Sequence, residues 1–428
     1  MKKKLCEIGE IIAGGTPSTK INEYWNGKIS WITPKDLSNY KGRFISKGER
    51  SITEEGLNNS SAVLMPKNSI LFTSRAPIGY VAIAEKELCT NQGFKSFVCN
   101  EQKCYYKYMY YWFLNNVETI KSKANGSTFQ EVSGTVMKNI EIELPDMKTQ
   151  KNIGNILDLI DRKIELNNQI NNNLQEIINS IFKKWFIEFE FPILDGQYYK
   201  SSNGKMKDSE LGKIPENWKV VKLENIIDFS NGYSIDSKKM LNKEEKNTYK
   251  VFKMGNIKPL GGINKDKTKS WLSKEYCTGL EKYISKKGDI LMCMTDMKNS
   301  DTPLLGHTAL IDKNNEFIIN QRVGILRCKK ELVNYSFVYT LTNIDFFVKD
   351  IRSRANSGVQ VNLSTKGICE TSLIFPDKKT LDEFNNIAEP MYEKIFKNND
   401  ENEVLIQIRD TLLPKLMNGE IDLDNIEI

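Results

Sequence analysis

Two long helical signatures in the same register, 231 residues apart, constrain this chain more than any other feature. In the first, residues 146–190, apolar side chains fall at Ile153, Leu157, Ile160 and Ile164, the 4-3-4 spacing of one stripe along a helix. The stripe meets Asn167 and Asn171 and resumes at Leu174, Ile178, Ile181 and Trp185. No proline interrupts it after Pro145, so a single helix is allowed. About 40 residues at ~1.5 Å each make a rod of roughly 60 Å. In the second, Phe384, Ala388, Met391 and Ile395 lead to Asn398 and Asn402, and then to Leu405, Ile408 and Leu412. The offset also relates Ser122-Lys-Ala-Asn to Ser353-Arg-Ala-Asn, and Pro145-Asp146 to Pro376-Asp377. A register that keeps two polar interruptions and the preceding proline marks an internal duplication, each half a globular part followed by a rod.

A chain of 428 residues has room for two or three domains. Its 61 basic and 55 acidic residues leave a net charge of +6, compatible with nucleic acid. The eight cysteines form no CxxC pair, and with no signal-like apolar core after Met1-Lys-Lys-Lys-Leu, reduced thiols in the cytoplasm are expected. No stretch approaches the ~20 apolar residues of a membrane span. The single histidine, His307, would have to serve every Ser-His-Asp, His-metal or HExxH chemistry. It lies in a strand-like run and its counterpart in the first half is Tyr80, which favours a packed or DNA-facing ring over a catalytic base. There is no GxxxxGK[ST] loop and no [DNS]PP[FYW] methyltransferase signature. Pro145-Asp146 followed by Asp161-Arg-Lys163 fits a loose PD…[DE]xK nuclease pattern. That chemistry wants its acids and lysine on neighbouring strands, whereas here they sit mid-rod, and the duplicate has Tyr392 in place of Asp161, so the match is rejected.

Within each head, one device recurs. Ile70-Leu71-Phe72 reads as a strand delivering Thr73, Ser74 and Arg75 into a loop closed by Pro77 and Gly79. Ile290-Leu-Met-Cys-Met delivers Thr295, Asp296, Met297 and Lys298 in the same way. A strand ending in polar donors is how a rigid sheet presents side chains to a ligand, although a plain polar hairpin is the bland alternative. Asn91-Gln92 and Asn320-Gln321-Arg322 also recur, suited equally to self-bonded turns and to amide contacts with base edges. The aromatic run Tyr105–Leu114 could stack on nucleotides, but core packing is the commoner use. Ile29-Ser-Trp-Ile-Thr-Pro-Lys35 and Tyr249-Lys-Val-Phe-Lys253-Met-Gly-Asn256 both read as a strand running into a polar loop. Asn125-Gly-Ser-Thr and Asn356-Ser-Gly-Val are second-rank contact loops, and residues 196–215 read as a polar linker. The second rod is expected to stop at Pro414 or soon after, with Gly419 as its cap.

Two such heads can pair their rods antiparallel about a pseudo-twofold axis, with Asn167, Asn171, Asn398 and Asn402 fixing register at some cost in stability. The result is a ruler with a reading head at either end, a geometry that suits two half-sites on duplex DNA. The fold class expected is therefore α+β: two mixed globular domains in pseudo-twofold repeat, separated by two long antiparallel coiled-coil helices. The divisions are 1–145 and 217–376 for the heads, 146–190 and 377–417 for the rods, 191–216 for the linker and 418–428 for the tail.

The order of these blocks resembles the specificity (S) subunit of type I restriction–modification systems. The resemblance is carried by Lys67-Asn-Ser-Ile-Leu-Phe-Thr-Ser-Arg-Ala-Pro-Ile-Gly, Lys213-Ile-Pro-Glu-Asn-Trp-Lys-Val-Val-Lys-Leu, both rods, and Leu412-Leu-Pro-Lys-Leu-Met-Asn-Gly-Glu-Ile. It covers essentially the whole chain, and departs after Met294, where a longer loop stands. It implies two target-recognition domains reading the halves of a bipartite, asymmetric double-stranded DNA site in the major groove. It implies that the chain itself is non-catalytic, with no cofactor or metal of its own. The rods would dock two methyltransferase (M) subunits, joined optionally by two restriction (R) subunits, and S-adenosylmethionine, ATP and Mg would sit on those partners. On this reading Lys35, Arg75, Lys253, Lys298 and Arg322 contact phosphate or guanine, and Thr73, Ser74, Asn91, Gln92, Asn256, Thr295, Asn320 and Gln321 approach base edges. An autonomous DNA-cleaving or DNA-modifying enzyme and a protein-binding scaffold are the competing classes.

Overall fold

The duplicated Pro-Asp dipeptide decides where each rod begins. The computed structural model describes residues 2–38, 40–126, 130–193, 196–297, 303–356, 358 and 360–421. The rods are the helices Met147–Phe182 and Lys378–Met417. The Asp146 carboxylate accepts from the Thr149 amide at 2.9 Å and its hydroxyl at 3.0 Å, and Asp377 does the same for Thr380 at 3.0 and 2.9 Å. A carboxylate there satisfies an orphan amide and faces the positive end of the helix dipole. Asp146 is thus a cap, not a metal ligand, and its bonds to Thr149 hold its carboxyl below the usual range.

The second rod stops soon after Pro414, as its sequence predicts. It runs on to Met417, and Gly419, at φ +71°, closes it through Gly419 N–H to the Leu416 carbonyl (3.3 Å) and Glu420 N–H to the Lys415 carbonyl (2.9 Å). Pro390 also lies inside this helix, where it removes one intrahelical bond without ending the element.

The chain forms two units, Met1–Asn168 with Asn399–Ile428, and Gln169–Asn398. Each therefore holds one head, part of the first rod and part of the second. The heads share a topology. In the first, a five-stranded sheet runs Gly9–Ala13, Lys95–Cys99, Ile70–Phe72, Val81–Ala84, Phe44–Ile45, with a three-stranded sheet Arg50–Ile52, Trp25–Ile32, Cys89–Thr90. In the second, the corresponding sheets are Ile227–Asn231, Val323–Cys328, Ile290–Cys293, Thr308–Leu310, and Trp271–Ser273, Thr248–Phe252, Phe317–Ile319. In both, a parallel pairing (Trp31 opposite Cys89, Val251 opposite Ile318) feeds the strand that ends at the Asn-Gln turn.

The aromatic run is core. It forms the helix Tyr106–Asn115, and Tyr108, Met109, Tyr111 and Phe113 are essentially fully buried with Ile70, Phe72 and Phe97. The rod stripes are buried near the heads, but Ile408, expected in the second stripe, is exposed at 41%. Ile153, Leu157 and Leu416 join the first core, and Ile178, Phe182, Trp185, Phe384, Ala388 and Tyr392 join the second.

Within each unit the rod segments pair antiparallel. In the first, Arg409 meets Asp161 at 2.8 Å and Asn402 meets Asn167 at 2.9 Å. In the second, Asn398 meets Asn171 at 2.8 Å and Phe384 meets Phe182 with ring centroids 5.5 Å apart. The four register asparagines are thus interhelical: Asn167 donates to Asn402 and Glu401, Asn402 donates to Asn168 (3.0 Å), and Asn398 donates to Asn171. The buried carbonyl oxygens of Asn167 and Asn398 have no partner among the described residues, which is the cost such polar core positions carry.

Residues 196–215 are more than a linker. Met206–Ser209 and Gly212–Pro215 form a hairpin, Ile214 is buried, and Phe191 stacks on both Tyr199 and Trp218 at 4.6 and 5.0 Å. Among the described residues, no helix is long and apolar enough to cross a membrane.

Candidate functional site

Each head brings the end of its central strand against its Asn-Gln turn through matching main-chain bonds. In the first, Ser74 N–H donates to the Gly93 carbonyl at 2.8 Å and Val132 N–H to the Ser74 carbonyl at 3.0 Å. In the second, Met294 N–H donates to Arg322 at 3.2 Å and Leu363 N–H to Met294 at 2.9 Å. The equivalences are thus Ser74 with Met294, Arg75 with Thr295, Gly93 with Arg322 and Glu131 with Asn362. A close glycine serves the same address in each head: a Cβ on Gly14 or Gly232 would collide with the Asn91 or Asn320 carbonyl.

The side chains at this shared address differ. In the first head Arg75 and Lys95 both reach Glu131, at 3.4 and 3.0 Å, and Gln92 accepts from the Thr16 hydroxyl. In the second, the ion pair is replaced by a hydrogen bond from the Thr295 hydroxyl to Asn362 at 2.8 Å, and Arg322 is exposed with no side-chain partner among the described residues. Here a concavity of about 410 Å³ opens between Asn231, Ser234, Thr295, Gln321, Arg322, Gln360 and Asn362. Among the described residues its lining carries amides, hydroxyls and one guanidinium, and no carboxylate. Such a surface offers donors to phosphate and paired donor–acceptor amides to base edges.

The structure separates the sequence candidates into presenters and builders. Gln92, Gln321 and Arg322 are exposed, Arg75 is half-buried, and Asn91 and Asn320 are partly buried with their side-chain oxygens accepting from Gly93 N–H (2.9 Å) and Arg322 N–H (3.4 Å). The asparagines therefore hold the turn and the glutamines extend from it. Lys35 and Lys253 are exposed, paired with Glu49 and Ser270 at 2.9 Å each.

Thr73, Ser74 and Asn256 are corrected. Thr73 and Ser74 are fully buried, the first accepting from Tyr80 N–H and the second donating to the Gly93 carbonyl, so neither reaches a base edge. Asn256 is 1% exposed; it accepts from Lys253 N–H and donates to the Asn264 carbonyl and the Thr268 hydroxyl. Its counterpart Asp36 accepts from Thr33 N–H in the same way. Thr295 is 6% exposed and begins a strand, Thr295–Met297, paired with Gln360–Asn362 where a loop was expected. Lys298 lies outside the described residues. His307 is a packed ring, 6% exposed, with burial and the nearby Arg352 pushing its pKa down.

One cluster escaped the sequence reading. Arg43, 7% exposed, donates to Asp158 at 2.8 Å and to both oxygens of Glu165 at 2.8 and 2.9 Å, tying the first head to the first rod. Asp161, the acid of the rejected nuclease pattern, accepts there from the Tyr111 hydroxyl at 2.6 Å and from Arg409. Acids at one-turn spacing on a rod were visible, but nothing local linked them to an arginine over a hundred residues away. Among the described residues no group of three or more His, Cys, Asp or Glu side chains could hold a metal ion.

The family model for the type I restriction modification DNA specificity domain matches residues 1–176 and again 215–404. The type I restriction enzyme MjaIX specificity subunit of Methanocaldococcus jannaschii is 34% identical, the match covering 99% of this chain and 94% of that relative. The HindI specificity subunit of Haemophilus influenzae is 23% identical over 70% of this chain and 73% of its own length. A crystal structure of a type I restriction–modification S subunit from M. genitalium has the same fold, at a TM-score of 0.60, 17% identity, and coverage of 97% of this chain and 95% of that one. With a duplicated head, paired rods and a family model that accounts for both halves, the chain belongs to the type I restriction–modification DNA specificity family.

Proposed function

We infer that this chain is the non-catalytic, sequence-specific DNA-recognition subunit of a type I restriction–modification complex. Each head reads one half of a bipartite, asymmetric site; the rods set the spacing and dock two methyltransferase subunits, with restriction subunits as further partners. S-adenosylmethionine, ATP and Mg belong to those partners, and the complex works in the cytoplasm. Residues 1–145 and 217–376 serve as target-recognition domains, 146–190 and 377–417 as conserved-region helices, 191–216 as their connection and 418–428 as the tail.

The observation that carries this reading is one address, built by the same backbone in both heads, holding different chemistry: Arg75–Glu131 with Gln92 in one, Thr295–Asn362 with Gln321 and Arg322 in the other. A constant scaffold with exchanged donors and acceptors is what two different half-sites require. Among the candidates, Lys35, Arg75, Lys253 and Arg322 supply charge toward phosphate or guanine, while Gln92 and Gln321 supply amides toward base edges.

Methylome sequencing of cells with and without the chain tests it. One two-part motif should lose methylation when the chain is removed. An unchanged methylome, or plasmid cleavage by the purified chain with Mg²⁺ alone, would return the argument to an autonomous enzyme.

A further inference from the structure

The loop after Asn256 carries a feature that DNA recognition by polar groups leaves unused. Among the described residues Leu260 is the most exposed large apolar side chain, at 74% relative exposure, and sits at φ +65°, a left-handed conformation costly for leucine. Gly261 and Gly262 follow at φ +104° and +99°. The hairpin under this tip is closed by main-chain bonds. Lys258 N–H donates to the Gly262 carbonyl at 2.9 Å, Gly261 N–H donates back to Lys258 at 3.1 Å, and Ile257 pairs with Ile263. Asn256 clamps the base through the Asn264 carbonyl and the Thr268 hydroxyl, both at 3.1 Å. The tip is also seated on the head: a Cβ on Gly261 would come within 3.0 Å of the Asn343 amide, and Gly262 N–H donates to Thr308.

A strained, solvent-facing leucine on a braced finger calls for a use, since asparagine or glycine would sit there relaxed. Its surroundings name the ligand. Lys253, Lys258, Lys267 and Lys269 are exposed on the segment that carries the finger, with one exposed acid, Asp266, among them. The finger springs from Phe252, whose carbonyl accepts from Asn320 N–H at 3.0 Å, so it rises beside the turn that presents Gln321 and Arg322. An apolar tip on a lysine-rich segment, whose base adjoins the turn that presents Gln321 and Arg322, fits a polyanion whose interior is apolar. We propose that Leu260 is a wedge that enters a base step of the half-site read by the second head, unstacking and bending the duplex there. This rests on the DNA-recognition reading and adds to it a readout by deformability, in which a pliable pyrimidine–purine step is favoured where Leu260 enters.

The test uses the full chain and a pool of randomised duplexes. Enriched duplexes are rebuilt with 2-aminopurine at successive steps and with dyes at both ends. Wild type should give a several-fold fluorescence rise at one step and a bend by energy transfer. Leu260→Ala should lose both while keeping the salt dependence of binding. Leu260→Gly, which also relieves the positive φ, should lose both while melting no lower than wild type. Enrichment with the same rise in wild type and both variants overturns the wedge alone. Failure to enrich any duplex overturns the DNA reading and the wedge with it. Loss of methyltransferase binding by Leu260→Gly, with DNA distortion intact, would assign the leucine to a protein contact and also overturn the wedge.

Discussion

Both polar atoms of the Asn256 side chain are engaged inside the second head, whereas Gln321 projects from the rim of the concavity. The two amides should therefore fail differently. Asn256→Ala leaves the Lys253 N–H unpaired and takes one donor from the Asn264 carbonyl, and should cost about 1–3 kcal/mol, seen as a lower denaturation midpoint. Gln321→Ala, at an exposed site, should change stability by no more than about 0.5 kcal/mol. It should instead relax base preference at one position in selection from randomised duplexes. Equal stability losses in the two variants would erase the distinction between builder and presenter. The same logic separates Thr73 and Ser74, whose hydroxyls pin the strand-end loop, from Gln92 on the surface.

Between head and rod, the first unit has a buried charge cluster where the second has aromatic packing and a half-exposed ion pair, Lys287–Glu393 at 2.7 Å. Arg43, Asp158, Asp161, Glu165 and Arg409 interlock in the first, with Lys107 also on Asp158. In the second, Tyr392 stands where Asp161 does, bonded to Thr340 at 2.8 Å, and Ile178 occupies the place of Arg409. Arg43→Ala removes the cation that Asp158 and Glu165 share but leaves Lys107 on Asp158 and Arg409 on Asp161, so it should cost about 1–3 kcal/mol, measured by denaturant unfolding. Burial opposes ionisation of Asp158, but hydrogen bonds from Lys107 and Arg43 outweigh it and hold its carboxyl below the ordinary value of 3.8. A depressed folded value stabilises the fold at any pH above the unfolded one, and that contribution drains away as pH falls through the folded value. Acid unfolding of wild type should thus be steeper below about pH 4 than that of Asp158→Asn. Parallel acid limbs for the two proteins would place the linkage elsewhere.

For the molecule as a whole, exchange of one head is the informative change. The second head closes its own core, from Trp218 and Leu223 to Phe375, and packs on rod residues that keep the duplicated register. Replacing residues 217–376 with the matching segment of a relative should alter one half of the methylated motif and leave the other half and the spacing intact. Methylome sequencing reads all three at once, and a change in both halves would contradict independent heads.

The sequence by itself determined the duplication, the two rods with their buried stripes and polar interruptions, the α+β class and the family, because each rests on periodicity and order along the chain. It marked the strand ends and Asn-Gln turns as one recurring address for the same reason. It could not rank the residues there. Thr73, Ser74 and Asn256 share their polarity with Gln92, Gln321 and Arg322, and only burial and bonding partners tell them apart. Arg43 beside Asp158, and Leu260 on its braced finger, were decided by tertiary structure alone, since charge pairing across 115 residues and backbone strain leave no local mark on a sequence.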